Sequence, residues 1–338
     1  MSTSPRAASV RPIEPSDLDA AARLLADRHR RHRLAEPLLD AAYEDPAAAR
    51  REIEALLAGD RADGWTALRD GVVAGYLVGV SKAEASWGPN VWVEAAGQAA
   101  VDGAVVRSLY AAAAKAWVDA GRLNQHVLVP ASDPELVEAW FNLDFGTQHL
   151  HAVREVPHAS FGVVPETELV IRRPTRDDIH VMAELELVLP EHLRGAPVFS
   201  RLPAETIADV EQALTDDFDD PSYTWFIAEH DGRVIGDAIG CSLEKSAGAT
   251  SLNRPANAAF LAYVAVFPEA RGLGAGRALG ETVLAWARDA GYPSIATDWR
   301  STNLEADRSW RGMGFRPTFR RLHRLIAEAP GGAGPGGA

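Results

Sequence analysis

A glycine-rich segment contains the residues whose types and spacing most clearly indicate chemistry. Residues 264–279 read V-A-V-F-P-E-A-R-G-L-G-A-G-R-A-L. An apolar run ends at Val266, Pro268 cannot continue a strand because it has no N–H, and apolar residues at helical spacing begin at Leu279. A strand, a glycine-rich turn and a helix N-terminus form an anion site, since inward-pointing N–H groups and the helix dipole both favour negative charge. The segment therefore predicts a phosphate-binding loop.

Two common phosphate-loop patterns do not fit this segment. The dinucleotide pattern G-x-G-x-x-G fails because the glycines do not have that spacing, and the Walker pattern fails because no G-K-[ST] occurs at the loop. The remaining pattern, R-x-x-G-x-G after V-x-V-x-P, resembles the GNAT N-acetyltransferase superfamily. The alternative is a glycine-rich loop of some other α/β domain. The resemblance implies that the loop cradles the pyrophosphate of acetyl-CoA, which serves as the acyl donor.

The same resemblance implies which residues hold acetyl-CoA. In the family, the backbone of the strand pairs with pantetheine and polarises the thioester carbonyl, while the loop N–H groups take the pyrophosphate. The residues implied are Val264, Ala265, Val266, Arg271, Gly272, Leu273, Gly274, Ala275, Gly276, Arg277, Asn303 and Ala306. The last two belong to a second motif, N-x-x-A-x-x-x-W-x-x-x-G-F over residues 303–315, which resembles the family motif with tyrosine in place of Trp310.

Trp310 departs from the family pattern at the position of the usual acid. An indole N–H cannot protonate a leaving thiolate, so another group, water or no acid serves that purpose. We interpret Trp310 as a core aromatic residue.

Tandem GNAT proteins of the mycothiol synthase type have a similar layout, with one strong copy and one weak copy.

The sequence also gives only a weak indication of which residue is the general base. The attacking amine must be neutral, so a carboxylate or a water chain is expected to remove its proton. Asp298 on the strand after the motif helix and Glu244 at the end of the preceding hairpin are candidates. Tyr263 is the only polar side chain between Phe260 and Val266, which makes it a third catalytic candidate.

The composition predicts a soluble globular protein of about two domains. Of 338 residues, 47% are hydrophobic and 24% are charged, and no uninterrupted apolar stretch approaches the length of a membrane span. The single cysteine, Cys241, excludes an intrachain disulfide and indicates the reducing cytoplasm. The net charge of −13 disfavours nucleic acid and anionic membranes as partners. His29 and His32 have no third ligand at metal-binding spacing, so no metal is predicted.

The elements that must position the motifs occur twice along the chain. Each half reads β-α-α-β-β-β-α-β-α-β, an α/β fold with a mixed sheet that again looks like GNAT. The predicted division is a degenerate GNAT domain over residues 9–155, a linker over 156–166, an active GNAT domain over 167–327 and a disordered tail over 328–338. Within it we expect one helix over 177–189 that ends before Pro190, and another over 133–143 that is capped by Ser132.

The two halves align when 170 is added near their ends and 162 near their starts, where Arg11-Pro12 matches Arg173-Pro174. At the phosphate loop the 170 offset gives three pairs: Arg271 with Val101, Gly274 with Ala104, and Gly276 with Val106. The branched Val106 and the charge of Asp102 are both unfavourable for a pyrophosphate. We therefore expect the first copy to bind acetyl-CoA poorly, and the chain to be a monomer with two GNAT copies or a homodimer.

The function that follows is transfer of acetyl from acetyl-CoA to the primary amine of a small molecule by direct attack, in the second copy. One alternative is acetylation of a protein N-terminus or lysine. The other is a non-catalytic sensor that binds acyl-CoA.

Overall fold

The computed structural model describes residues 8–157, 168–200, 205–246, 248 and 251–327, and these form a mixed α/β fold. The lead-in before residue 8, the tail, and most of the linker fall outside the described residues. The elements of the first half are β1 Ser9–Pro12, α1 Leu18–Ala35, α2 Pro46–Leu57, β2 Ala62–Arg69, β3 Val72–Val80, α3 Glu84–Trp87, β4 Asn90–Val93, β5 Gln98–Ala100, α4 Gly103–Asp119, β6 Asn124–Pro130, α5 Pro134–Phe141 and β7 Gly146–Glu155.

The second half follows the predicted element order without interruption. Its elements are β8 Leu169–Arg172, α6 Ile179–Arg194, α7 Ile207–Asp217, β9 Tyr223–His230, β10 Arg233–Ser242, β11 Ala258–Val266, α8 Ala275–Asp289, β12 Ser294–Arg300, α9 Leu304–Gly312 and β13 Arg316–Leu325. The first half differs by the short helix α3 and by the division of one expected strand into β4 and β5. The predicted fold class is confirmed.

The chain divides into two compact units that do not coincide with the two halves. The first contains the described residues up to Leu150, 251–253 and those from Thr318 on; the second contains 151–248 and 254–317. The sheet of the first unit has the order β1-β2-β3-β4-β6-β13, with β5 beside β3. Strand β13 lies antiparallel to β6, and its Phe319 and Leu322 are buried in the two hydrophobic clusters of this unit. Because these side chains supply core volume, the last strand belongs with the first unit, whereas the sequence division placed it with the second.

The second unit contains the order β12-β11-β10-β9-β8, with part of β7 beside β12. Helices α6 and α7 cover one face, where Met182, Val210 and Ile239 are buried together. Helix α8 covers the other face so closely that a Cβ atom at Gly240 of β10 would lie 2.7 Å from Trp286. Strands β11 and β12 are parallel neighbours, and this pair positions the candidate site.

The same turn closes a predicted hairpin in each unit. Asp70-Gly71 joins β2 to β3 with φ angles of 51° and 80°, and Asp231-Gly232 joins β9 to β10 with 50° and 72°. Positive φ at both positions is the geometry of a type I′ turn, for which Asp-Gly is a preferred sequence. Both predicted hairpins are therefore present.

An arginine–aspartate pair marks the start of each unit and corrects the predicted alignment. Arg11 donates two hydrogen bonds to Asp17, and Arg172 donates two to Asp178. The arginine partner lowers the pKa of Asp178 to about 2. The counterpart of Arg11 is therefore Arg172, and the match with Arg173 was wrong by one residue; Arg173 instead stacks on the Phe226 ring at 5.1 Å.

Two helix ends also differ from their predicted positions. Helix α6 continues through Pro190 to Arg194, although proline has no N–H to donate to the carbonyl of Glu186 one turn earlier. Helix α5 is capped by Asp133, whose side chain accepts from the Leu136 N–H at 3.0 Å, and not by Ser132. A carboxylate is the stronger N-terminal acceptor because it also complements the helix dipole.

Candidate acetyl-CoA site

The predicted phosphate loop is a tight turn whose backbone conformation favours glycine. After β11, a single 3₁₀ turn spans Pro268–Ala270, and Gly272 and Gly274 then have φ angles of 90° and 85°. A residue with a Cβ atom is strained in this left-handed region, whereas glycine is not. Gly274 is the N-cap of α8, so the turn leads directly into the helix.

The N-terminus of α8 is open to an anion. Gly274 supplies no side-chain cap, and the N–H groups of the first helical turn have no intrahelical acceptor. A Cβ atom placed at Gly272 or Gly274 would meet nothing within 4 Å, and one at Gly276 would meet only the Val266 side chain, at 3.7 Å. The start of α8 therefore has backbone N–H groups without a side-chain cap at the positive end of a helix dipole, as a pyrophosphate site requires.

The two arginines of the loop lie apart from this nest of N–H groups. Arg271 lies 3.5 Å from Glu305 of α9 and is partly exposed. Arg277 donates to Glu281 at 2.8 Å along the exposed face of α8. Leu273, between the glycines, is exposed. Neither guanidinium is fixed toward the glycines, so the backbone is the preorganised part of the site.

Strands β11 and β12 diverge beside the loop. Their parallel pairing runs only from Ala258 with Ser294 to Phe260 with Ala296. Where it stops, the Thr297 hydroxyl donates to the Leu261 carbonyl at 3.0 Å. Residues Val264–Val266 pair with β10 on one side, while no β12 residue pairs with them on the other among the described residues. An extended pantetheine arm can add to that edge as a further strand.

The second motif lies beyond the open end of β12. Asn303 is buried and caps α9, because its Oδ1 accepts from the Ala306 N–H at 3.2 Å. The oxygen is therefore engaged within the protein, and the Nδ2 hydrogens are its donors toward a ligand. Trp310 is half-buried, contacts Phe315 edge-on at 6.1 Å, and lies 3.5 Å from where a Gly280 Cβ would be. It packs against α8 but is only half-buried, so it lies at the edge of the core and not inside it.

The three predicted catalytic residues have different surroundings. Glu244 is exposed in the 3₁₀ turn after β10. Asp298 on β12 faces the buried His151 at 4.0 Å between the charged atoms. Tyr263 on β11 donates its hydroxyl to the Leu185 carbonyl of α6 at 2.7 Å, and burial raises the pKa of this phenol. Tyr263 therefore stays protonated and anchors α6 to β11.

Helix α6 crosses the diverging strands. At Leu185 it accepts from Tyr263 of β11, and one side of its last turn carries His192, whose Nε2 lies 3.4 Å from Asn303 Oδ1 after β12. These two positions are seven residues apart and so lie on one helix face. Just beyond the helix, the Ser200 hydroxyl accepts from Arg300 of β12 at 2.5 Å. His192 is therefore part of the cover over the cleft.

Two acids that were not predicted from the sequence lie where α6 packs on the sheet: Asp237 on β10 and Glu186 on α6 itself. Asp237 of β10 is fully buried, and neither of its carboxyl oxygens has a partner outside its own residue in the described part of the chain. Burial, followed by the charge of Glu186, raises the pKa of Asp237 well above its ordinary value. Burial also raises the pKa of Glu186 to about 7, with Glu205 and Asp217 adding to the effect. The isolated acid in the apolar pattern of β10 was the available signal for Asp237.

The corresponding helix N-terminus of the first unit is filled by the protein. Asp102 caps α4 by accepting from the Val105 N–H at 2.9 Å, and Glu135 accepts from the Gly103 N–H at 3.3 Å. Arg69 donates to Asp102 and is the main cause of its lowered pKa. Under the 170 offset, α4 also begins two residues earlier than α8. A cavity of about 530 Å³ adjoins this terminus, and Asp27 and Asp133 add further carboxylates to its lining.

Membrane-spanning helices and metal-binding clusters are both absent from the described residues. No helix among them is long and apolar enough to cross a membrane. No cluster of three or more histidine, cysteine, aspartate or glutamate side chains within them has the arrangement of a metal site.

Comparison with known proteins gives consistent results. A family model described as the acetyltransferase (GNAT) family matches residues 189–315. Aminoglycoside N(6')-acetyltransferase type 1 of Stenotrophomonas maltophilia is 31% identical over 132 residues, which cover 36% of this chain and 86% of that protein. The crystal structure of a GCN5-related N-acetyltransferase from Sphaerobacter thermophilus has a TM-score of 0.57 at 18% identity, over 95% of this chain and 96% of that chain. The glucosamine N-acetyltransferase region of a fungal GH3 β-N-acetylglucosaminidase has a TM-score of 0.53 at 13% identity, over 95% of this chain and 38% of that chain.

Proposed function

Because the chain belongs to the GNAT acetyltransferase family, we propose that its second unit transfers acetyl from acetyl-CoA to a primary amine of a small cationic molecule. The open N-terminus of α8, next to the unpaired edge of β11, is the observation that carries this proposal. The first provides donors for a pyrophosphate, and the second provides a backbone edge for the arm that leads to the thioester.

The order of these features along the cleft fits the shape of acetyl-CoA. Pyrophosphate binds at Gly272–Gly276, pantetheine runs along Val264–Val266, and the thioester lies toward the start of the divergence near Leu261. A backbone N–H of β11 that has no β12 partner donates to the thioester oxygen as negative charge develops on it. Asn303 holds the arm from the opposite side through its Nδ2 hydrogens.

The charge around the cleft favours a cationic acceptor. The negative charges of Glu205 and Asp217 both act on Glu186 of α6 and raise its pKa. Carboxylates beside an acceptor site attract an amine that carries additional ammonium groups. The relative from Stenotrophomonas maltophilia is named for acetylating aminoglycosides, which are small molecules with several amines. We therefore propose an acceptor of this chemical class, in preference to a protein N-terminus or lysine.

The proposal is tested by binding and turnover on the full-length protein. Calorimetric titration with acetyl-CoA measures binding, and release of the CoA thiol measures turnover with aminoglycosides, linear polyamines and lysine peptides. We expect acetyl-CoA to bind and thiol release to require a small polyamine. Turnover confined to peptides would favour protein acetylation, and binding without turnover on any amine would favour the sensor. Failure to bind acetyl-CoA would contradict all three functions.

A further inference from the structure

Three ionisable groups, Tyr263, Asp237 and Glu186, lie near one another where α6 packs on the sheet, and binding of acetyl-CoA gives none of them a chemical role. Tyr263 of β11 pairs with Ile239 of β10, and Asp237 lies two residues from Ile239, on the same face of the strand. Ile239 packs against α6 and α7, so Asp237 also faces these helices. The Tyr263 hydroxyl donates to the carbonyl of Leu185, the residue just before Glu186. This hydrogen bond fixes the turn of α6 that carries Glu186.

We propose that Glu186 is the general base that removes a proton from the acceptor ammonium, and that Glu205 and Asp217 receive the further positive charges of a polyamine acceptor. This inference rests on the proposed function, because it assigns a residue to that reaction. Glu186 lies on the helix that crosses the diverging strands, beside the turn that contacts β11. Glu186 is half-buried.

The surrounding groups distinguish Glu186 from its neighbours as the base. Burial and the negative charges of Glu205 and Asp217 raise the pKa of Glu186 to about 7, so this carboxyl exchanges protons near neutral pH. The pKa of the fully buried Asp237 is raised well above its ordinary value, and Tyr263 is raised as well. Burial therefore favours the neutral, protonated form of both Asp237 and Tyr263.

The proton and electron changes balance without any further reagent. The Glu186 carboxylate takes one proton from R–NH₃⁺, and the freed lone pair attacks the thioester carbonyl carbon to form the C–N bond. Collapse of the tetrahedral intermediate breaks the C–S bond, and the electron pair leaves with the CoA thiolate. The thiolate takes the second proton from the amide nitrogen, and Glu186 returns the first proton to solvent. The net products are R–NH–acetyl, CoA thiol and one proton.

The test compares E186Q with wild type and with E184Q, a matched change on the exposed side of the same helix. Thiol release with a polyamine that the wild type turns over is measured from pH 5.5 to 9. We expect E186Q to lower kcat by about 100-fold or more and to abolish the rise in kcat/KM through pH ~7 that the wild type shows. E184Q keeps the wild-type rate and pH profile, and acetyl-CoA binding by calorimetry is unchanged in both variants.

A second variant tests the electrostatic arrangement without touching the base. E205Q removes a like charge, which lowers the pKa of Glu186, so the pH of half-maximal kcat/KM falls by about 0.3 pH units at low salt and by less at high salt. It also raises KM for a polyamine more than KM for a monoamine. A purely structural role for Glu186 would move neither quantity.

The outcomes separate this inference from the function on which it rests. Wild-type turnover with an E186Q variant that keeps the acid limb of the profile would overturn the assignment of Glu186 and leave the acetyltransferase proposal standing. No wild-type turnover on any amine would overturn both. If E186Q fails to bind acetyl-CoA or to fold, E186D decides: a reduced rate with the acid limb retained supports the base, and full activity without that limb contradicts it.

Discussion

Helices α4 and α8 occupy equivalent places in the duplicated fold, yet their N-termini differ in one decisive respect. Asp102 and Glu135 accept hydrogen bonds from the first-turn N–H groups of α4. At α8 the N-cap is Gly274, which has no side chain to offer. Both termini have the positive end of a helix dipole, so both favour negative charge. In the first unit Asp102 and Glu135 supply that charge, whereas in the second no side chain caps α8 at Gly274.

This difference shows that an anion site depends on what fills a helix terminus more than on the fold. The cap at Asp102 stabilises α4 locally, and Arg69 keeps the carboxylate ionised by lowering its pKa. A pyrophosphate at that place would be repelled by the carboxylates of Asp102 and Glu135, although Arg28 and Arg31 also line the cavity. We therefore expect these two acidic side chains to weaken pyrophosphate binding in the first copy, while Asp102 also stabilises the start of α4.

The largest effect is expected from closing the open terminus. Gly274→Val places a β-branched residue at a φ angle of 85°, which costs about 1–2 kcal/mol, and fills the space that the pyrophosphate needs. We expect the affinity for acetyl-CoA, measured by calorimetry, to fall by at least about 100-fold. Gly276→Ala separates binding from folding: its Cβ fits at 3.7 Å from Val266, and alanine favours a helix by about 1 kcal/mol, so affinity falls while the melting temperature does not.

The matched control for this prediction is in the other copy. Ala104→Val changes an exposed residue of α4 that the 170 offset pairs with Gly274, and it should leave acetyl-CoA binding unchanged. Equal losses from Ala104→Val and Gly274→Val would mean that the two copies have been assigned the wrong way round.

The next effect is a difference in stability between the two motif tryptophans. Trp140 is fully buried, packs on Tyr110 and Phe145, and donates its indole N–H to Gln98 at 2.9 Å. Replacing it by alanine should lower the free energy of unfolding by about 3–5 kcal/mol. Trp310 is only half-buried, so the same change should cost roughly half as much, as measured by urea unfolding. Equal losses would contradict the view that the core is tighter at this point in the first copy.

Local patterns in the sequence predicted much of this comparison. The hairpin turns, the glycine loop and the acidic residue Asp102 at the start of α4 are patterns of neighbouring residues. Patterns of this length can be read directly from the sequence. The cap by Glu135 could not be predicted, because it comes from a different helix 32 positions along the chain. For the same reason the place of β13 was missed: burial of Phe319 and Leu322 is a tertiary effect that overrides sequence order.

The catalytic candidates were the least predictable part. Glu186 is one of several glutamates in an amphipathic helix, and only the contact of Tyr263 with Leu185 places it beside the cleft. The expected stop at Pro190 placed the end of α6 a turn too early, since tertiary packing outweighs the hydrogen bond that proline removes. Asp298 and Glu244 are carboxylates, the residue type that a general base requires. Their positions on a strand and at a turn do not by themselves show which carboxylate of the chain is buried.

The smallest effect separates the two contributions of Asp102. Asp102→Ala removes both the cap of α4 and the ion pair with Arg69, and should lower the free energy of unfolding by about 1–2 kcal/mol at pH 7. Asp102→Asn keeps a good cap and loses only the partly exposed ion pair, which is worth less than about 1 kcal/mol.

The pH dependence of the stability difference between wild type and Asp102→Asn shows whether the charged carboxylate stabilises the folded protein. Arg69 lowers the pKa of Asp102 in the folded protein, so the charged carboxylate contributes stability above its unfolded pKa of about 3.9, and that contribution is lost as the pH falls through the folded value. The difference between wild type and Asp102→Asn in urea unfolding should thus be constant from pH 5 to 8 and shrink below pH ~4. A difference that grew on acidification would mean that the protonated carboxyl makes the stabilising contact, and that α4 is not closed by a charge.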